Sequence, residues 1–190
     1  MRQVRGILFL DYVRMLRSQK SVTDWRVHGM TTDDIGYLQQ KVELNTWYPM
    51  ATFERMGNAI LATVARGEMF PVRMWGRYSA NQLVTANPLL LAKDDPPETL
   101  ARFRVLRDTY FDFTALEIPL LHMDEAQIVI RYYMGMPAEE AAAYQTMGFF
   151  EGLLELCGVK EIDAVFRERS WAGDPRTLMV LRWKPPHPVN

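Results

Sequence analysis

The sequence predicts an α+β fold in which a helical N-terminal half packs on a small antiparallel sheet, in the order helices-β-β-α-β-β. Three observations carry this. Apolar residues recur at helical spacing through most of the first hundred positions. The period then drops to two over Tyr110–Leu116 and again over Gln127–Tyr132. A long helical pattern from Ala138 to Cys157 separates those segments from two further strand-like runs, Ile162–Arg167 and Thr177–Trp183. With no internal repeat and no linker, residues 1–184 read as one domain and residues 185–190 as a proline-rich tail.

Val4, Leu8, Tyr12, Met15 and Leu16 place an amphipathic helix over Val4–Lys20. Thr31, Thr32, Asp33 and Asp34 offer capping side chains for a short second helix carrying Ile35, Leu38 and Val42. Asn45 or Thr46 caps the next, with Pro49 in its first turn, Phe53, Ile60, Leu61 and Val64 on one face, and Gly67 at its end. A further pattern covers Pro71–Val84, and after the breaks at Asn87-Pro88 and Asp94–Pro97 a helix begins at Pro97 and runs through Arg107. His122–Glu125 makes a hairpin tip, with Pro119 bending or ending the strand before it. Pro137 opens the long helix and Gly158 stops it in a left-handed conformation. The turn between the last strands is Ala172–Pro175.

Composition narrows the function classes. A chain of 190 residues can bury roughly 70% of its unfolded surface. No apolar run is long enough to cross a bilayer and the N-terminus lacks the pattern of a signal peptide, so a soluble, cytoplasmic protein without membrane insertion is expected. The single Cys157 forms no internal disulfide, and three dispersed histidines give no metal-binding spacing. With a net charge of −1 and its basic residues scattered among acids, the chain has no surface to track phosphates, and no nucleic-acid partner is expected.

Catalytic signatures are equally absent. There is no Gly-x-Gly turn and no P-loop. Cys157 shares an apolar stripe with Ala143, Met147, Phe150 and Leu154, which suits a buried structural thiol. His122 falls at a solvated hairpin tip, and Asp112 and Glu117 fall on opposite faces of one strand, too far apart in direction to act as a pair. Neither an enzyme nor a cofactor is indicated.

Two features remain. Twelve methionines, together with aromatics spread over helices and strands, can line an adaptable apolar pocket; Trp47, Tyr48, Trp75, Phe111 and Phe113 are the candidate ligand-binding residues. Gly148 and Gly152 fall on one side of the long helix, opposite its apolar centre at Ala143 and Phe150. Each costs about 1 kcal/mol relative to alanine, so a recess there suggests close approach by a second subunit or partner helix, with a homodimer favoured.

Arg5-Gly6-Ile7-Leu8, Trp47-Tyr48-Pro49, Gly76-Arg77, Gly148-Phe149-Phe150-Glu151-Gly152 and Gly173-Asp174, in this element order, resemble the superfamily that joins heme-nitric-oxide-binding domains, vinyl-reductase-like (V4R-like) sensor domains and TRAPP-type trafficking subunits. Within it the chain is similar to small myxobacterial proteins of comparable length. The heme-binding branch holds its propionates with Tyr-x-Ser-x-Arg; Tyr132 matches the tyrosine, but Met134 and Met136 stand at the serine and arginine positions. The helix that would carry the proximal histidine contains none. The resemblance thus implies the fold and a ligand cavity without heme: a non-enzymatic sensory or regulatory domain for a small apolar ligand, or alternatively a protein interaction module with a filled core.

Overall fold

The computed structural model describes residues 1–185; of the tail expected at 185–190, all but the first residue lies outside the described residues. The chain begins with a short strand, β1 (Gln3–Arg5), followed by helix α1 (Gly6–Ser18), a short α2 (Thr32–Tyr37), strand β2 (Trp47–Pro49), and helices α3 (Met50–Thr63), α4 (Met69–Ala86) and α5 (Pro96–Leu106). Strands β3 (Leu116–Leu121) and β4 (Glu125–Ile130), the long helix α6 (Ala138–Cys157), and strands β5 (Ile162–Glu168) and β6 (Thr177–Trp183) complete it. The expected α+β class holds, with two strands added near the N-terminus.

Those strands account for the first departure from expectation. β1 pairs antiparallel with β2, so Trp47–Pro49 is extended and Pro49 is the residue before α3 rather than part of its first turn. Gly6 makes the close approach possible: a Cβ there would strike the Glu43 carbonyl and the Tyr48 ring. The first amides of α1 are satisfied by the carbonyls of Thr46 and Leu44, at 2.8 and 3.1 Å.

The four-stranded sheet has the order β3-β4-β6-β5, antiparallel throughout. Its first strand starts at Leu116, not at Tyr110. Residues 110–112 pair elsewhere, Tyr110 still in a turn conformation: Arg5 donates to the Tyr110 carbonyl (2.8 Å), Asp112 to the Gln3 carbonyl (3.2 Å), and Val4 bridges Phe111. Pro119 sits within β3, which an edge strand tolerates, and the register with β4 shifts between Glu117 and Leu120.

Helix α6 occupies the centre. Its bounds are those expected, with Pro137 before it and Gly158 at φ +112° after it. Ala143, Phe150, Leu153, Leu154 and Cys157 are fully buried, and the opposite side lies against α4. There the expectation of an outward recess is corrected. Gly148 and Gly152 are buried against α4 of the same chain: a Cβ on Gly148 would strike the Arg73 carbonyl, and one on Gly152 would come within 2.9 Å of the Arg77 Cα. Gly76 on α4 reciprocates against the Gln145 carbonyl. The recess is filled by an internal helix, so docking a second subunit at these glycines would require α4 to leave.

Glu151 lies in the same crossing, 2% exposed, between Arg73 and Arg77. Arg73 Nε donates to Glu151 Oε2 at 2.8 Å, with a second bond from the same guanidinium to Oε1. This fork seals the edge of the contact between α4 and α6.

Candidate functional site

Between α1, α3, α4 and α6 on one side and α5, the Tyr110–Leu116 segment and the stretch after β4 that carries Tyr132 and Met134 on the other lies a cavity of about 330 Å³. Phe103, Phe111, Leu116 and Phe149 form an apolar floor, and Tyr12, Phe53 and Trp75 form a wall. Aromatic contacts fix these surfaces: Tyr12 stacks on Phe53 at 3.9 Å between ring centroids, and Phe103 meets Phe149 at 5.1 Å. Arg14 and Gln82, both exposed, stand where the cavity reaches solvent between α1 and α4. Beside Arg14, at 3.8 Å, Asp11 has its carboxyl pushed up by burial, an effect the guanidinium partly offsets.

Polar groups inside are few and neutral. Tyr12 Oη donates to Gln145 Oε1 at 2.8 Å. Thr146 Oγ1 donates to the Ala142 carbonyl at 2.9 Å, which leaves the Tyr132 hydroxyl as the donor to Thr146 Oγ1 at 2.7 Å. Burial pushes the Tyr12 phenol well above its ordinary range, reinforced by Tyr132 and Asp11 nearby, and raises Tyr132 to about 12. Both phenols keep their protons at neutral pH. A second space of about 20 Å³, room for about one water, shares Tyr12, Phe53, Trp75 and Gln145 with the large cavity.

Of the five residues expected to line a pocket, Trp75 and Phe111 do. The other three are not among its lining residues. Trp47 lies under the Arg5 guanidinium (4.4 Å), Tyr48 is stacked on Phe9 (4.4 Å), and Phe113 packs on Phe111 and under Arg2. Each fills a structural contact set up by β1 and its neighbours. Tyr12, Phe103, Gln145 and Phe149 were missed. Tyr12 did carry a signal, as a polar-tipped aromatic on an apolar stripe; nothing in the local pattern of Gln145 marks it.

Cys157 is fully buried away from this cavity, its Sγ donating to the Ala92 carbonyl at 3.0 Å, and burial raises its thiol pKa. No group of three His, Cys, Asp or Glu that could hold a metal occurs among the described residues. No helix among them is long and apolar enough to cross a membrane.

No family model matches the sequence, and no curated protein matches it. Solved structures do match in fold, among them H-NOX proteins. A mutant H-NOX of T. tengcongensis superposes with a TM-score of 0.62 at 14% identity, covering 98% of this chain and 100% of that one. An unliganded Fe(II) H-NOX mutant from K. algicida gives 0.68 at 10% identity over 95% and 96% of the two chains. The Fe(II)NO form of an S. oneidensis H-NOX protein gives 0.64 at 11% identity over 95% and 99%. The chain therefore has the H-NOX fold, a likeness that at these identities concerns architecture.

That fold raises the question of heme, and the lining residues do not fit it. Among the described residues, the cavity presents no imidazole and no thiolate. His28 lies in a 3₁₀ turn and His122 is exposed at the β3–β4 tip, neither lining the cavity, and His187 is outside the described residues. Protonated phenols and the thioether of Met134 are weak substitutes for a proximal ligand. Where a propionate clamp would need a hydroxyl and a guanidinium, the chain has Met134 and Met136.

Proposed function

We propose that this protein is a non-enzymatic sensory or regulatory module that binds a small apolar ligand, and not heme, in the cavity between its helical half and its sheet. The cavity itself carries the reading. An apolar cavity of about 150 Å³ is enough to hold benzene, and about 330 Å³ is available here. The interaction-module alternative assumed a filled core and loses that support. H-NOX neighbours described as an oxygen complex and an Fe(II)NO state give the fold a precedent for small-molecule ligands.

Equilibrium dialysis with 2-ethylnaphthalene, an uncharged two-ring hydrocarbon probe, tests the reading, supported by thermal melts in its presence. Saturable binding at one site should raise the melting temperature by mass action. Ala142→Phe, which projects a ring into the cavity from α6, should weaken binding at least tenfold while leaving the fold intact. Absence of saturable binding to the wild type overturns the proposal.

A further inference from the structure

On the cavity wall Gln145 is a neutral polar group whose bonding is half complete. Gln145 accepts from Tyr12 through Oε1, yet its amide nitrogen donates to no partner among the described residues. It is not among the buried polar atoms left without a partner, as Asn58 Oδ1, Arg77 Nε and Arg131 Nε are, so the nitrogen borders open space. Elsewhere on the wall Tyr132 donates to Thr146, Thr146 to Ala142, and Ser79 to the Trp75 carbonyl; the Tyr110 hydroxyl and the Trp75 indole N–H also donate to no partner among the described residues, but the Gln145 amide is the one anchored by an accepted hydrogen bond of its own. A primary amide that has accepted one bond and can still give two N–H bonds asks for an acceptor.

The surroundings restrict what that acceptor can be. The only charged lining residues besides Asp11 and Arg14, which face each other at the solvent side, would be ionised phenols, and burial prevents those. An ionised ligand group would therefore be stripped of water deep in the cavity without a counter-charge. A neutral carbonyl meets no such penalty once an N–H is in place. Gln145 is also held firmly for the purpose: its hydroxyl partner Tyr12 is stacked against Phe53, and its own backbone carbonyl is pressed by Gly76 of α4. A donor fixed before binding loses little freedom on meeting its acceptor.

We infer that Gln145 is the specificity-determining residue of this cavity, and that the ligand class is a neutral, largely apolar molecule of about two rings bearing one carbonyl acceptor, such as an aryl ketone or ester, bonded by the Gln145 amide. This rests on the ligand-binding reading above. The size follows from the volume, roughly twice that of a benzene-holding cavity; the neutrality follows from the uncharged interior; the acceptor follows from the unpartnered amide.

The test compares 2-acetylnaphthalene with 2-ethylnaphthalene, near-isosteres that differ in the carbonyl, by equilibrium dialysis against the wild type, Gln145→Leu and Tyr12→Phe. A buried carbonyl without a donor binds more weakly than the hydrocarbon, because its hydration is lost and not replaced. The wild type should instead bind the ketone at least as tightly as the hydrocarbon. Gln145→Leu should lose about tenfold on the ketone and keep its affinity for the hydrocarbon, which also reports that the cavity is intact. Tyr12→Phe removes the hydroxyl that fixes Gln145 but leaves the amide, and should lose clearly less on the ketone than Gln145→Leu. Wild-type protein that binds the hydrocarbon but takes the ketone tenfold more weakly overturns the Gln145 inference alone; this comparison needs no variant to fold. Equal loss of the ketone in Tyr12→Phe overturns it in favour of Tyr12. Wild-type protein that binds neither probe overturns both this inference and the reading beneath it.

Discussion

Asp34 shows how one side chain ties two elements together. It is fully buried, its carboxylate accepts from Arg55 at 2.6 and 2.8 Å, and it closes a capping box with Thr31 at the start of α2. Burial raises its pKa, but the Arg55 guanidinium and the Thr31 amide and hydroxyl outweigh that and hold it at about 2. A carboxyl whose folded pKa is depressed contributes stability above its unfolded value and loses it as pH falls through the folded one. Asp34 should therefore contribute about 2 kcal/mol at neutral pH, lost between about pH 4 and pH 2. Urea melts of the wild type and Asp34→Asn from pH 2 to 7 check this. The two curves should differ most at pH 7 and converge toward pH 2, and a constant gap would count against the assignment. Phe150 makes a simpler case at the same scale. It is fully buried and meets the Phe103 ring edge-on at 5.1 Å, so Phe150→Ala should cost about 3–5 kcal/mol in the same melts.

At the scale of the element, α6 and α4 form the decisive contact, and the glycines there should behave as packing residues. Gly148→Ala places a methyl on the Arg73 carbonyl, so despite alanine's better helix propensity it should destabilise by about 1–3 kcal/mol. The Gly148→Leu/Gly152→Leu double variant should fail to reach the native fold, seen as loss of cooperative thermal unfolding. A stable, cooperative double variant would mean that α4 does not pack where it is placed. The ends of α6 were legible in the sequence because Pro137 and Gly158 act locally. The apolar arc through Ala143 and Phe150 was legible too. The opposite face was misread as a recess for a second subunit because the helix that fills it, carrying Arg73 and Arg77, lies more than 70 positions upstream of Glu151. Residues 110–116 were misread for a related reason. They alternate in sequence, but residues 110–112 pair with β1 across about a hundred positions, and no local period encodes that pairing. The candidate site divided along the same line. Trp75 and Phe111 face the cavity, while Trp47 and Tyr48 are claimed by Arg5 and Phe9, contacts that exist only because β1 and β2 pair.

At the scale of the whole molecule, the fold and the donor set point in different directions, and heme is where they separate. The H-NOX architecture extends over nearly the whole chain, with an interior cavity between the helices and the sheet. If architecture alone decided cofactor uptake, protein expressed with added heme precursor would carry stoichiometric heme. Iron needs a protein donor, however. The α5 helix contains no histidine, and neither described histidine reaches the cavity. The phenols that do reach it are held protonated by burial, and binding one as phenolate would mean removing a proton from Tyr132 with its pKa raised to about 12, or from Tyr12, which is higher still. At the two positions where the propionate clamp would place a hydroxyl and a guanidinium stand Met134 and Met136. Protein purified after precursor supplementation should therefore show no stoichiometric Soret absorbance, and adding ferrous heme to it should not produce a saturable one-to-one spectrum. The probe of the uncharged cavity, 2-ethylnaphthalene, should bind the same preparation. A one-to-one Soret band that vanished on replacing His28, His122 or His187 would show that a histidine reaches the iron by a rearrangement of this fold, and would return the molecule to heme chemistry.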